Sequence, residues 1–180
     1  MPSLRLTLPL LATVLLAGCS YSSDYYSSSE LFDGRISVQN GLVTLSAKHA
    51  ADATIDRTGH LIIDGHPTAT NATQQALLLQ YYQAVAAVRE HGIAAGMAGA
   101  AMAGASIIGS VQSMASKDGD DIDQRVNEQS KKIALATMKI CEDMVAIRRA
   151  QDILAAQLPA FQPYADIADS DADKDCRQHG

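Results

Sequence analysis

A chain of 180 residues with 47% hydrophobic content is long enough to bury one core and too short for two. With no Trp and only two Phe, that core has to be aliphatic. The net charge of −6, and of −7 once the first eighteen residues with their single charged side chain Arg5 are set aside, comes without any basic tract, which excludes a nucleic-acid backbone as partner.

Met1 to Gly18 read as an export signal, with Arg5 as the basic start and an apolar stretch through Leu6, Leu8, Leu10, Leu11, Val14, Leu15 and Leu16. The segment ends in Leu16-Ala17-Gly18-Cys19, which resembles the lipobox of bacterial lipoproteins. The resemblance implies cleavage before Cys19, a lipid on its sulfur and an acylated new amine, so that several chains anchor the protein where one would hold only marginally. Ser20 follows where an Asp would resemble an inner-membrane retention signal in enteric bacteria, so the implied destination is the outer membrane, facing the periplasm. From Ser20 to Glu30 the chain is mostly Ser and Tyr with little aliphatic content, and residues 19–30 are expected to form a flexible tether.

The hydrophobic period becomes two from Leu31. Arg35-Ile36-Ser37-Val38 and Leu42-Val43-Thr44-Leu45 flank Gln39-Asn40-Gly41, and Asn-Gly is the strongest short hairpin signal because both residues accept positive φ. Residues 53–57 and 60–64 flank Thr58-Gly59 as a second hairpin, after which Asp64-Gly65-His66-Pro67 is expected to end the sheet with a turn and a strand-incompatible proline. The expectation is a four-stranded antiparallel meander within residues 31–67, too small to stand without a covering layer.

Asn71 and Gln74 form a capping-box-like pair that starts a helix from Ala72 to about His91, with Leu78, Tyr81 or Tyr82, Val85 and Val88 on one face. Gly92 either ends this helix or kinks it. Gly92 to Ser116 then runs for twenty-five residues without a charge, seventeen of them Ala, Gly or Ser. A helix apolar all round belongs in a core or in lipid. Gly92, Gly96, Ala100 and Gly104 follow at four-residue steps, a ridge of small residues that predicts close packing against a second helix. Burial in a folded domain is the favoured reading, because four Ser and one Gln beside only three Ile and one Val give a weak drive into hydrocarbon. A polar turn at 117–121 precedes a last long helix from about Asp121 to Leu158. Its seam of Ile122, Val126, Ile133, Ile140, Met144, Ile147, Leu154 and Leu158 is broken by Gln129, Thr137 and Gln151. Pro159 and Pro163 stop it, and residues 159–180 are expected to be an acidic tail.

Two blocks resemble the YggN-like family of exported bacterial proteins. One holds Ile55, Gly59, Leu61, Asp64, Gly65, Asn71-Ala72, Gln74 and Tyr82-Gln83-Ala84; the other holds Cys141, Met144-Val145, Ile147, Ala150-Gln151 and Leu154. The resemblance implies a location in the cell envelope and no reaction. This chain departs from the family pattern in being shorter, in its lipobox and in the glycine-rich run between the blocks.

Few residues invite chemistry. His60, Asp64 and His66 share strand parity and would be the centre of any envelope enzyme or metal binder, but the turn at Gly65 breaks the parity and no fourth ligand is evident. Asp118, Asp120, Asp121 and Asp123 lack the register of a calcium loop and suit a helix N-terminus. No nucleophile elbow, phosphate loop or dinucleotide fingerprint is present, so no catalytic residue, cofactor or metal is assigned. With Cys19 acylated, Cys141 and Cys176 remain in an oxidising compartment and are expected to pair. The methionines at 97, 102, 114, 138 and 144 are spaced as core fillers.

The sequence thus predicts an α+β lipoprotein, one domain over 31–158 with helices within 72–158 as a bundle or hairpin around the Gly/Ala-rich helix. Its expected role is that of a non-enzymatic structural or interaction module for an envelope protein partner, with its oligomeric state open. The alternative is a membrane-active protein whose helix 92–116 inserts or oligomerises in lipid.

Overall fold

The computed structural model describes residues 29–112 and 119–168. The signal segment, Cys19, most of the tether, the 113–118 stretch and Cys176 lie outside the described residues. Six strands form one antiparallel sheet in sequence order: β1 (Ser29–Leu31), β2 (Ile36–Gln39), β3 (Leu42–Leu45), β4 (Ala53–Asp56), β5 (Leu61–Ile63) and β6 (His66–Pro67). Two long helices follow, α1 (Ala72–Gln112) and α2 (Gly119–Gln157), and then a 3₁₀ helix (Pro159–Tyr164).

The four central strands are the predicted ones, because the alternation that marks them in the sequence is the alternation of burial. Ile36 and Val38, Val43 and Leu45, Ala53 and Ile55, and Leu61 are all buried, while their neighbours are not. The register aligns them into two cross-strand rows, Ile36–Leu45–Ala53–Ile63 and Val38–Val43–Ile55–Leu61. Slipping one residue would turn every one of these side chains to the other face. Asn40 and Gly41 sit at φ 52° and 76°, the primed-turn geometry that their sequence predicts.

The sheet is wider than expected by one short strand at each edge. β1 takes Ser29 and Glu30 from the predicted tether, because Leu31 opposite Ile36 extends the apolar row. At the other edge Pro67 belongs to β6, opposite Ile62, instead of ending the sheet. Thr68 N–H bonds to the Leu61 carbonyl at 2.8 Å, so in the alternating antiparallel ladder the nitrogen of Pro67 faces outward, where no N–H is needed.

The capping box forms as read: Asn71 Oδ1 accepts from Gln74 N–H at 2.9 Å, and Gln74 Oε1 accepts from Asn71 N–H at 3.0 Å. From there α1 buries Leu78, Tyr81, Val85 and Val88 against the sheet, so it is Tyr81 and not Tyr82 that enters the core. The predicted break at Gly92 does not occur; α1 continues as one helix to Gln112. Only its first part covers the sheet. α2 returns antiparallel beside it, held at three levels by Gln74 to the Gln157 carbonyl, His91 to Asp143 and Ser130 to Met102. Its end buries Ile147, Leu154 and Leu158 over the same core. The architecture is therefore a sheet covered by the open end of a helical hairpin, the start of α1 and the end of α2, whose remaining length runs on beyond it.

Residues 159–168 are part of the folded body, a correction to the tail expected from Pro159 onward. Phe161 packs edge-on against Tyr81 with ring centroids 5.8 Å apart, and Tyr164 donates to the Ala51 carbonyl at 2.6 Å. Gln151, read in the sequence as a break in the apolar seam, is fully buried and serves as a clasp. Its amide donates to the carbonyls of Ala165 and Ala168, and its oxygen accepts from Ala168 N–H at 2.9 Å. Ile167 and Ala168 are buried in consequence. A side chain of this polarity is tolerated there because its donor and acceptor are both satisfied.

Candidate functional site

The long hairpin carries the features that packing leaves unexplained. Past Val88 the helices have no sheet to cover, and among the described residues contact between them buries small side chains, Ala98 and Ala136. The ridge predicted to make a close helix contact makes none within the described residues. Gly92, Gly96 and Ala100 are exposed, Gly104 is half-buried, and a Cβ placed on Gly92, Gly96, Gly99 or Gly104 would meet nothing within 4 Å. Four-residue steps drift around a helix by about 40° each. The ridge therefore starts on the face that Val85 and Val88 turn to the sheet and continues outward, away from α2, once the sheet has ended.

Large apolar side chains are exposed on the same hairpin. Met97 on α1 is 67% exposed, and Leu135, Met138 and Val145 on α2 are 57%, 50% and 39% exposed. Scattered singly such residues need no explanation, but these stand on two continuous helix faces. Beside the α2 face an open groove of about 420 Å³ runs between the helices, lined by Gln80, Gln83, Glu142, Val145 and Arg149 among others. No helix among the described residues is long and apolar enough to cross a membrane.

At the sheet end of the molecule, the β4–β5 turn holds His60, one of the residues that the sequence singled out. His60 does not converge with Asp64 and His66. Its Nδ1 lies 3.1 Å from Asp56 Oδ2 and 2.9 Å from Thr58 Oγ1, whereas His66 Nδ1 lies 2.7 Å from the Asp64 carbonyl. Among the described residues no group of three or more His, Cys, Asp or Glu side chains could hold a metal ion. The centre of this turn is Asp56, and its sequence signal is an Asp two residues before Thr58-Gly59, since an Asp side chain readily accepts from the backbone N–H two residues on. Partial burial pushes its carboxyl up. Hydrogen bonds from the Thr58 hydroxyl, the His60 and Thr58 backbone and the His60 ring outweigh that and hold it well below the usual carboxylate range. The cluster ties a turn together. Gly59, at φ 80°, lets the turn approach α1 so closely that a Cβ there would stand 2.6 Å from the Gln75 carbonyl oxygen.

Two hydroxyls in the core are not poised for chemistry either. Burial pushes the Tyr81 phenol far up, and burial with the Asp52 carboxylate nearby raises Tyr164, so both stay protonated. Cys141 is half-buried on α2 and is not a free thiol. Asp123, at the start of α2, is exposed.

The chain matches no protein-family model, no curated protein and no solved structure.

Proposed function

We propose that this chain is an outer-membrane-anchored periplasmic lipoprotein, held by acylated Cys19, that acts as a non-enzymatic docking module for a protein of the cell envelope. The observation that carries the reading is the uncharged half of α1 standing clear of the sheet with Gly92, Gly96, Met97 and Ala100 exposed. Small residues at helical spacing let a partner backbone come close, and an exposed methionine adapts to irregular surfaces. A pairing of Cys141 with Cys176 belongs to the same reading, since an exported protein meets an oxidising compartment. The likeness of two blocks to the YggN-like family supports an envelope location in the same sense.

The membrane-active alternative keeps one observation in its favour, the absence of charge from Gly92 to Ser116. Against it, a glycine- and serine-rich surface gains little from hydrocarbon.

A photo-crosslinking residue at Ala100, activated in intact cells, separates the two. The docking reading expects a discrete protein adduct that disappears in a Cys19→Ala background, together with loss of fatty-acid labelling and retention of the precursor. Adducts to lipid alone would replace docking with the membrane reading, and normal processing of Cys19→Ala would refute the lipid anchor.

A further inference from the structure

The α2 face opposite Ile147 and Leu154 is evenly spaced about Val145 and Ala146, with its acid on one side and its base on the other. Leu135, Met138 and Val145 recur there at steps of three and seven residues, and the exposed Glu142 and Arg149 lie on the same stripe. Ala146 and the half-buried Ile153 complete the stripe toward the helix end. Neither Glu142 nor Arg149 has an ion-pair partner among the described residues. Two helical turns separate them, about 10 Å along the axis, so they do not pair with each other.

We infer that this face is a homodimer interface, in which α2 of a second copy packs antiparallel across a two-fold axis beside Val145 and Ala146. In that register Glu142 of each copy meets Arg149 of the other, so that the two charges are paired twice. Met138 lies toward Ile153 of the second copy, and Leu135 toward Ala156. Val145 of each copy faces Ala146 of the other beside the axis, so the same patch serves both copies, as an isologous contact requires. The charge order decides both orientation and occupant. From Glu142 to Arg149 the helix reads acidic, acidic, four apolar residues, basic, basic. An antiparallel copy presents the inverse order at every position, whereas a parallel copy would set acid on acid and base on base. Two side chains already used within the chain, Asp143 with His91 and Arg148 with Asp152, extend the same field. This association uses a face distinct from the ridge on α1 and does not depend on the lipid anchor.

Sedimentation equilibrium of the full chain in density-matched detergent tests it. A reversible dimer is expected for the native chain. Glu142→Arg alone, and Arg149→Glu alone, should each weaken it by about tenfold or more, because each places two like-charge contacts in the interface. The double exchange E142R/R149E should return the dissociation constant to within about threefold of the native value, since opposite charges then meet again. A heterologous partner has no means of producing that rescue. A chain that stays monomeric to about 100 μM, weaker than the association proposed here, overturns the inference. Single reversals without effect, or a double exchange that fails to restore the dimer, overturn it equally. A circular dichroism melt of each variant confirms its fold, and Glu142→Gln with Arg149→Gln replaces any reversal that does not melt cooperatively, with a smaller loss and a weaker salt dependence expected.

Discussion

Asp56 shows how much a single short side chain can organise. Its Oδ1 alone accepts from the Thr58 backbone at 2.8 Å and hydroxyl at 2.6 Å and from the His60 backbone at 3.0 Å, so the carboxylate takes up two turn N–H groups that would otherwise need backbone partners. Because its folded pKa is depressed below the unfolded value, the native state binds its proton less readily than the unfolded chain does. The stabilisation is therefore fully present above pH ~4 and is lost as pH falls below that toward the folded pKa. Asp56→Asn should lower stability at pH 7 by about 1–2 kcal/mol and flatten the stability profile below pH 4, as urea titrations at several pH values would read. An unchanged acid limb in the variant would mean that other carboxylates set it. The capping pair and the Asn40-Gly41 turn were readable beforehand, since each is a contact between residues two or three apart. Gln151 was not: its partners lie at 165 and 168, and its burial exists only after the chain has turned at Pro159.

At the scale of the element, α1 is one helix with two surroundings. Its first four turns are amphipathic and fold against the sheet, while its second half carries no charge and, among the described residues, has α2 beside it. The five glycines from Gly92 to Gly109 each weaken a helix by about 1 kcal/mol relative to alanine. Nothing within 4 Å of an added Cβ at Gly96 offsets that cost in the isolated chain. Gly96→Ala should accordingly raise stability by about 0.5–1 kcal/mol in a thermal melt, the reverse of what a close intramolecular contact would give. Gly96→Leu should likewise fold, and under the docking proposal it should weaken protein capture by the Ala100 crosslinker, because a larger side chain would hold a partner's backbone away. A strongly destabilised Gly96→Leu would restore the buried-core reading of this run.

Across the whole molecule, stability is concentrated at one end. Phe161, Tyr164, Ile167, Leu154 and Ile147 join the sheet rows and the first part of α1 in one cluster, while among the described residues the distal hairpin adds Ala98 and Ala136. A cross-link from Cys141 to Cys176 would tie the chain beyond Ala168 back to the middle of α2. Peptide mass mapping under non-reducing conditions should recover the Cys141–Cys176 pair from exported protein and two free thiols from protein retained in the cytoplasm. Two free thiols in the exported form would remove the disulfide from this account. In the chain-entropy picture a closed loop of this size adds roughly 3–4 kcal/mol, enough to lift the melting temperature measurably and to make it sensitive to reductant.

The central four strands, the two hairpin turns, the start of α1 and the long last helix follow from the sequence by itself, because each rests on a local period or a turn residue whose backbone demand is met by its nearest neighbours. The edge strands, the ordered 159–168 segment and the exposure of the small-residue ridge were decided by tertiary structure. Pro67 is compatible with a strand only where no further strand follows, Gln151 is satisfied only by a segment that doubles back, and Gly92, Gly96 and Ala100 meet solvent because the sheet is too short to cover a hairpin of this length. Hydrophobicity marks a residue as one that benefits from cover; which surfaces receive it depends on where the other elements end.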